Sequence, residues 1–244
     1  MSTPALKPGH GRQQVLDCVR AATGSASGSA GQAASGWKAL PRAYIRAGSL
    51  SPAACVELML KRLREYDAEV AECPPEALPS AIAAQLAGSG RCTFVAPAGL
   101  PPEWLAAGFE WKIDGRLTTA EIEQAEGVVT TCYCGVADSG TIVLHHSATE
   151  GRRVLSLLPD WHLCVLRASQ VVETLPEYFS RCQQAPALHP SDEDLSLGTP
   201  ALVTWISGPS ATADIEMTRI KGVHGPRFLH VILVQDLYAQ QKIK

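Results

Sequence analysis

The run Ala201-Leu-Val-Thr-Trp-Ile206 precedes Ser207-Gly-Pro-Ser-Ala-Thr-Ala-Asp-Ile-Glu216, and Gly222-Val-His-Gly-Pro-Arg227 then leads into Phe228-Leu-His-Val-Ile-Leu-Val234. The two apolar runs are short and bounded by Gly or Pro, which is typical of buried strands. Between them, hydroxyl and acidic residues begin a segment that ends at Gly222, and this pattern predicts a helix. The stretch therefore predicts an α/β fold with polar groups at a strand end, where open α/β sheets bind ligands.

Upstream of this stretch, predicted helices and strands alternate from residue 51 onward. Residues 52–65 have a proline in the first turn and apolar residues at helical spacing. Further predicted helices cover 75–86, 102–106, 119–126 and 171–182, and predicted strands cover 69–72, 91–96, 110–113 and 161–166. Strands that are separated by helices predict βαβ units and a mainly parallel sheet flanked by helices.

The alternation breaks at residues 127–146, where two β-rich runs, 128–136 and 140–145, flank Ala137-Asp138-Ser139. This connection is too short to hold a crossover helix, so we expect an antiparallel hairpin inserted in the α/β fold. If the first run is one continuous strand, the thiols of Cys132 and Cys134 face the same side of it.

The N-terminal region has a different composition. Residues 15–22 predict a short amphipathic helix, and the Gly/Ser/Ala stretch at 23–32 predicts a flexible linker. We therefore divide the chain into an N-terminal helix with its linker, residues 1–36, and an α/β domain, residues 37–244. A polar loop without apolar periodicity is expected at 187–199.

The composition limits the classes of protein to which this chain can belong. The chain has 244 residues, 46% hydrophobic and 18% charged, which is ordinary for a globular protein with a sizeable core. A net charge of −3 argues against a nucleic-acid surface. No apolar run approaches the ~20 residues of a transmembrane segment, and the first ten residues lack the apolar region of a signal peptide. We expect a cytoplasmic protein.

The eight cysteines favour neither a metal centre nor a disulfide framework. No C-x-x-C pair occurs, and the C-x₂-C-x₂-C run of a ferredoxin-type cluster is absent from the sequence. Several cysteines lie in apolar segments, where a reduced thiol behaves as a small hydrophobic group. We expect buried thiols and no metal. His162 and His230 also lie in apolar runs and are expected to be core histidines.

The tip of the predicted hairpin carries Ser139, Gly140 and Thr141. The hydroxyls of such a tip can bind an oxyanion, and the glycine permits close approach of a ligand. The alternative is a plain turn, which Asp, Ser and Gly favour in any case. The residue types alone favour the turn.

A second candidate segment contains Gly208, Ser210 and Thr212 at the start of the predicted helix. Helix N-termini bind anions through free backbone N–H groups. Asp214, however, falls in the first turn and would repel an anion there. A neutral ligand, or an anion held by an added cation, fits better, and the alternative is that Ser210 or Thr212 is only an N-cap.

A third candidate is His224, which lies between two glycines, with Arg227 three residues later. An imidazole there can serve as an acid or base near neutral pH, and Arg227 can clamp a carboxylate in a bidentate way. In the alternative interpretation, His224 only bonds the terminal carbonyls of the predicted helix. The two interpretations are close to even.

These segments, together with Ala137-Asp-Ser-Gly-Thr-Ile-Val-Leu144 and Arg153-Val-Leu-Ser-Leu-Leu-Pro159, resemble the LUD-domain family from about residue 120 to 234. The resemblance implies a fold similar to the superfamily of ribose-5-phosphate isomerase, glucosamine-6-phosphate deaminase and CoA transferases. It also makes Arg153 a candidate to bind a carboxylate. The family often has Thr where Ser139 stands and a basic residue where Ala211 stands, so this chain lacks one cation of the pattern.

The resemblance further implies a component of a bacterial L-lactate utilization system, in which iron–sulfur partner subunits support oxidation of L-lactate to pyruvate. This sequence has no G-x-G-x-x-G motif after a strand, no P-loop and no G-x-S-x-G elbow, so we expect no cofactor of its own. One alternative is a stand-alone isomerase or transferase for a small hydroxy acid, sugar phosphate or CoA ester, with Asp214 and His224 as catalytic acid and base. Another is a ligand-sensing or assembly subunit.

Overall fold

A computed structural model of the chain describes residues 10–22, 30–41, 43–184, 202–212, 220–222 and 224–237. The chain forms two compact units, residues 1–44 and 45–244. The first contains helices α1 (His10–Ala22) and α2 (Ala30–Ala39), so the last three residues of the predicted linker are helical. Its other residues, 23–29, and the predicted loop at 187–199 lie outside the described ranges. The predicted division at residue 36 stays a prediction.

The second unit alternates helices with strands. Its helices are α3 (Pro52–Glu65), α4 (Leu78–Gly88), α5 (Thr119–Glu123) and α6 (Leu175–Gln184), with short 3-10 helices at Pro75–Ala77, Pro102–Trp104, Arg153–Ser156 and Ala168–Gln170. Its strands are β1 (Glu69–Cys73), β2 (Thr93–Pro97), β3 (Glu110–Asp114), β4 (Gly127–Thr131), β5 (Cys134–Val136), β6 (Thr141–Leu144), β7 (Trp161–Arg167), β8 (Val171–Val172), β9 (Thr204–Ile206), β10 (Ala211–Thr212), β11 (Ile220–Lys221) and β12 (Phe228–Val234). None of the helices in the described ranges has both the length and the apolarity needed to cross a bilayer.

The predicted α/β class is confirmed by a six-stranded sheet in the order β1-β12-β7-β4-β2-β3, in which every neighbouring pair is parallel. Strands β7 and β12 are apolar along nearly their whole length because both faces of the sheet are covered. One face packs on α4 through Ile82 and Leu86. The other packs on α3 through Met59 and Leu63.

The predicted antiparallel hairpin is also confirmed, and it belongs to a second sheet in the order β8-β5-β6-β9. The predicted strand 128–136 is divided, because the chain leaves the first sheet at Cys132-Tyr133 and enters the second at β5. Cys132 consequently packs beside Cys164 of the first sheet, whereas Cys134 packs against Tyr178 and Cys182 of α6. The expectation that the two thiols share one strand face is therefore wrong.

The helix predicted between Ser210 and Gly222 is contradicted at both ends. Strands β10 and β11 pair antiparallel there, with Ala211 opposite Lys221. Backbone contacts extend the pairing, since Ser210 N donates to Pro226 O and Gly222 N donates to Ser210 O, each at 2.8 Å. Residues 213–219, with Asp214, lie outside the described ranges. The free N–H groups of a helix start are thus not available at Ser210, because they are used in this ladder.

The predicted helix at 171–182 begins later than expected. Val171 and Val172 form β8 beside β5, and α6 starts at Leu175 with Pro176 in its first turn. The two valines are β-branched residues that suit a sheet edge. The helical periodicity of the sequence includes these two valines, but they form a strand because they pair with β5.

Candidate functional site

A cavity of about 310 Å³ lies between the end of β9, the 3-10 helix Arg153–Ser156 and the starts of β7 and β12. Its position differs from the sequence expectation. His162 and Leu229, which are paired in register, are the second residues of β7 and β12, so the cavity faces the amino ends of these strands. The polar side chains among its lining residues are Arg153, Ser156, His162, Thr204, Ser207, Ser210 and His224.

Arg153 is the cation of this cavity. Its Nη1 donates to the hydroxyl of Thr204 at 2.7 Å, and the same hydroxyl lies 2.8 Å from Nε2 of His146. Nδ1 of His146 lies 2.8 Å from the carbonyl oxygen of Gly151. Because a carbonyl can only accept, Nδ1 carries the proton, and Nε2 of the neutral ring accepts from Thr204. Burial lowers the pKa of His146, which favours this neutral form.

A chain of hydroxyl groups joins the hairpin tip to the cavity. The Oγ of Ser139 lies 2.7 Å from the Oγ1 of Thr141, which lies 2.7 Å from the Oγ of Ser207. Thr141 is buried and Ser207 lines the cavity. Ser139 and Thr141 therefore reach the cavity through Ser207 rather than by lining it.

His162 lies at the floor of the cavity, where it is 1% exposed. Its Nε2 contacts the hydroxyl of Thr130 at 2.8 Å. Burial lowers the pKa of His162 to about 4, so the ring is neutral at physiological pH. His162 is buried, as expected for a core histidine. The sequence did not indicate that it also lines a cavity.

His224 and Ser210 also line the cavity. The backbone N–H of His224 donates to the Oγ of Ser210 at 3.1 Å, and the side chain of His224 is exposed. Together with the bond from Gly222 N to Ser210 O, this contact holds Gly222 and His224 against Ser210, the residue before β10. The imidazole is thus at the rim of the cavity, where it is accessible to a ligand.

Two predicted glycines serve chain packing. Gly140 has φ 62°, and a Cβ there would lie 2.6 Å from the Cβ of Arg62. Gly208 has φ 83°, and a Cβ there would lie 2.6 Å from the carbonyl oxygen of Tyr66. Both glycines let a turn approach the end of α3, and Gly208 also lines the cavity.

Arg227 binds a carboxylate of the chain itself. Its Nε and Nη2 donate to the two carboxylate oxygens of Asp160 at 2.6 and 2.9 Å. This bidentate geometry was expected for a ligand, and Asp160 occupies it instead. Of the other predicted residues, Thr212 lies in β10 and Asp214 outside the described ranges.

The comparisons with known proteins agree with this fold. The family model for the LUD domain matches residues 101–234, which include β4 to β12 and the cavity. A lactate utilization protein C from Deinococcus radiodurans is 38% identical over 198 residues, 81% of this chain and 87% of that protein. The chain belongs to the LUD-domain family.

Other relatives match over shorter stretches. The Bacillus subtilis lactate utilization protein C is 35% identical over 56% of this chain and 55% of its own length. The Escherichia coli protein YkgG is 35% identical over 50% of this chain and 49% of its own length. A crystal structure of a DUF162-family protein from Deinococcus radiodurans superimposes with a TM-score of 0.61 at 35% identity, covering 76% of this chain and 99% of that one.

Sequence reasoning missed the parts of the LUD-domain cavity that come from outside the glycine-rich segments. Thr204 and His162 stand in apolar runs, and their spacing is that of ordinary strand residues. Ser156 and Ser207 lie within segments that the sequence singled out, but nothing in their residue type or spacing marked them as site residues. Only the approach of β9 to the starts of β7 and β12 brings these residues together.

The arrangement suits a small anion that also carries a hydroxyl group. Among the described residues that line the cavity none has a carboxylate, whereas Arg153 supplies a cation and several hydroxyls supply hydrogen bonds. Ala211 also lines the cavity and adds no charge to it. Residues 213–219, which include Asp214, are outside this description.

Proposed function

We propose that this chain is a component of a bacterial L-lactate utilization system and that its cavity binds the small hydroxy acid or its keto-acid product. The observation that carries the proposal is Arg153 on the wall of a cavity whose described lining has no carboxylate. A volume of about 310 Å³ is at the small end of ligand pockets, which span roughly 300–1,000 Å³. The names of the Deinococcus and Bacillus relatives support the choice of lactate.

In the proposed complex, the ligand carboxylate contacts Arg153, because a guanidinium forms charge-assisted hydrogen bonds with carboxylates. The ligand hydroxyl then lies toward Ser207, Ser210 and the neutral ring of His162. His224 at the rim and the hydroxyl chain from Ser139 through Thr141 can carry the proton that the hydroxyl loses. These roles remain proposals for the predicted residues.

Oxidation of lactate to pyruvate releases two electrons and two protons, so an electron carrier is required. We assign that role to iron–sulfur partner subunits in the cytoplasm. The sequence has no dinucleotide-binding motif, and the described residues contain no group of three or more His, Cys, Asp or Glu side chains placed to hold a metal. The chain would then contribute substrate binding to the assembled system.

The binding step is tested by calorimetry with L-lactate, pyruvate and propionate on the full chain. We expect saturable binding of lactate or pyruvate that Arg153→Gln weakens by roughly 10- to 100-fold, since a hydrogen bond to a charged group is worth about 1.5–3 kcal/mol. Lys61→Gln removes an exposed cation on α3 and is the matched control. Equal affinity in wild type and Arg153→Gln would refute carboxylate binding at Arg153.

The partner assignment needs a separate test. A tagged chain expressed with the other proteins of its own lactate system is expected to co-purify with iron-containing subunits. Turnover of a hydroxy acid, sugar phosphate or CoA ester by the isolated chain would favour the stand-alone enzyme instead. Binding of lactate without either result would favour the ligand-sensing subunit.

A further inference from the structure

The carboxyl ends of β2, β3 and β4 form a second place where a ligand can bind. After β2, the next strand of this sheet is β3, which lies toward one edge. After β4, the next strand of this sheet is β7, which lies toward the other edge. The strand order therefore reverses between β2 and β4. Crevices outside the carboxyl ends of strands at such a reversal are where open α/β sheets bind ligands.

Residues 145–152 lie in this crevice. Gly99 N, after β2, donates to Ala148 O at 2.9 Å, and Thr131 N, at the end of β4, donates to Thr149 O at 3.1 Å. The segment is thus bonded to both sides of the reversal point. It leaves a cavity of about 390 Å³ between itself and the end of β3, with Arg116 and His146 in the lining.

The charge of this second cavity is positive. Asp114 is neutralised by Arg152, whose Nε and Nη2 donate to its two carboxylate oxygens at 2.8 and 2.7 Å. Asp114 also accepts the backbone N–H groups of Arg116 and Leu117, which fixes the turn after β3. Among the residues that the structure describes, the Arg116 guanidinium has no ion-pair partner, so it is the uncompensated charge.

The backbone of the same cavity is strained. Arg116 has φ 110° and His146 has φ 58°, and within the described ranges Asp67 is the only other non-glycine residue with positive φ. Such conformations are costly for residues other than glycine and are concentrated at binding sites. A glycine at position 116 would avoid the strain, so the arginine at this position carries a cost to folding.

We propose that this second cavity binds a compact oxyanion, a phosphate or carboxylate group, through the Arg116 guanidinium. The site is separate from the cavity at Arg153. The two share only the contact between His146 and Thr204, and His146 contributes no free donor because its proton is directed at Gly151. The inference does not depend on the lactate proposal.

The experiment measures the melting temperature of the full chain during titration with inorganic phosphate or sodium acetate, with sodium chloride at matched ionic strength. We expect a saturable increase with one of the two anions in wild type. Arg116→Gly is expected to raise the melting temperature without ligand by about 2–4 °C, which corresponds to relief of the strain, and to remove the anion-induced increase. Arg116→Lys retains the charge and part of the increase.

Two controls identify the site. Lys61→Gln removes an exposed cation elsewhere and is expected to keep the anion-induced increase. Arg153→Gln removes the proposed carboxylate site of the first cavity, so the response that remains in this background belongs to the second cavity. A response to phosphate alone identifies a phosphate group as the ligand, and a response to acetate identifies a carboxylate. In the Arg153→Gln background, the absence of a saturable increase with either anion, or an increase that is retained when Arg116→Gly is added, would overturn the proposal.

Discussion

Strand β12 of the six-stranded sheet and strand β9 of the four-stranded sheet differ in what they bury. In the larger sheet, β12 is buried from Leu229 to Val234, with apolar side chains on both faces. In the smaller sheet, β9 exposes 42% of Trp205 and directs Thr204 to Arg153 and His146. Strand β12 therefore contributes mainly to stability, whereas β9 and the turn that follows it bring polar groups to the first cavity.

The strongest test of this difference compares a truncation in each sheet. Ile232→Ala in β12 removes fully buried methyl and methylene groups and is expected to cost about 2–5 kcal/mol of unfolding free energy. Ile206→Ala in β9 truncates a half-buried side chain and is expected to cost about 1 kcal/mol. Urea denaturation of both variants measures the difference. Equal losses would show that β9 is as important for stability as β12.

A pH experiment tests the buried imidazole of β7. Burial lowers the pKa of His162 from 6.5 to about 4, so the unfolded chain takes up a proton at a higher pH than the folded chain. The neutral buried ring therefore contributes stability that is fully present above pH 6.5. The free energy of unfolding declines by about 3 kcal/mol as the pH falls to 4.

Replacement by a side chain that does not titrate isolates the effect. His162→Gln keeps a hydrogen-bonding group beside Thr130, and its stability relative to wild type is expected to rise by about 3 kcal/mol between pH 7 and pH 4. Unfolding free energies of both proteins at several pH values provide the measurement. Parallel pH profiles would mean that His162 is solvated in the folded protein.

The smallest of the expected effects concerns β9 and its hydroxyl. Thr204→Val retains the shape of the side chain but leaves Nε2 of His146 without its donor, which we expect to cost about 1–3 kcal/mol. Thr204→Ser keeps the hydroxyl and serves as the control. Urea denaturation of the two variants separates loss of the hydrogen bond from loss of packing, and equal stabilities would show that the hydroxyl contributes little.

The sequence predicted those elements whose local signals are strong. Helix α3 has the predicted bounds because Ser51 caps it, accepting the Ala54 N–H at 3.3 Å, and Pro52 occupies the first turn. Strand β12 also has the predicted bounds. The helix predicted after Ser210 was wrong because Ser, Thr and Gly favour turns as well as caps, and Ala211 and Thr212 pair instead with Lys221 and Ile220 in an antiparallel ladder.

The candidate site was predicted in part for the same reason. Gly208, Ser210 and His224 stood out because glycine-rich polar segments interrupt apolar runs, and Arg153 entered through the family resemblance. His162 did not stand out, since a histidine in an apolar strand has the same sequence surroundings whether it lines a cavity or only fills the core. The bidentate contact of Arg227 with a carboxylate was predicted. Its partner was not, because Asp160 lies 67 positions away in the sequence.

The sequence by itself determined the alternation of helices and strands, the parallel class of the larger sheet, the hairpin and the family, because periodicity and turn residues act over a few positions. Only the tertiary structure decided which strands joined which sheet, and so placed β9 beside the starts of β7 and β12. It also decided which charges remained available, since Asp160 and Asp114 neutralise Arg227 and Arg152 while Arg153 lines the first cavity and Arg116 the second. Such pairings depend on the distances between side chains in the folded chain, which local sequence patterns do not contain.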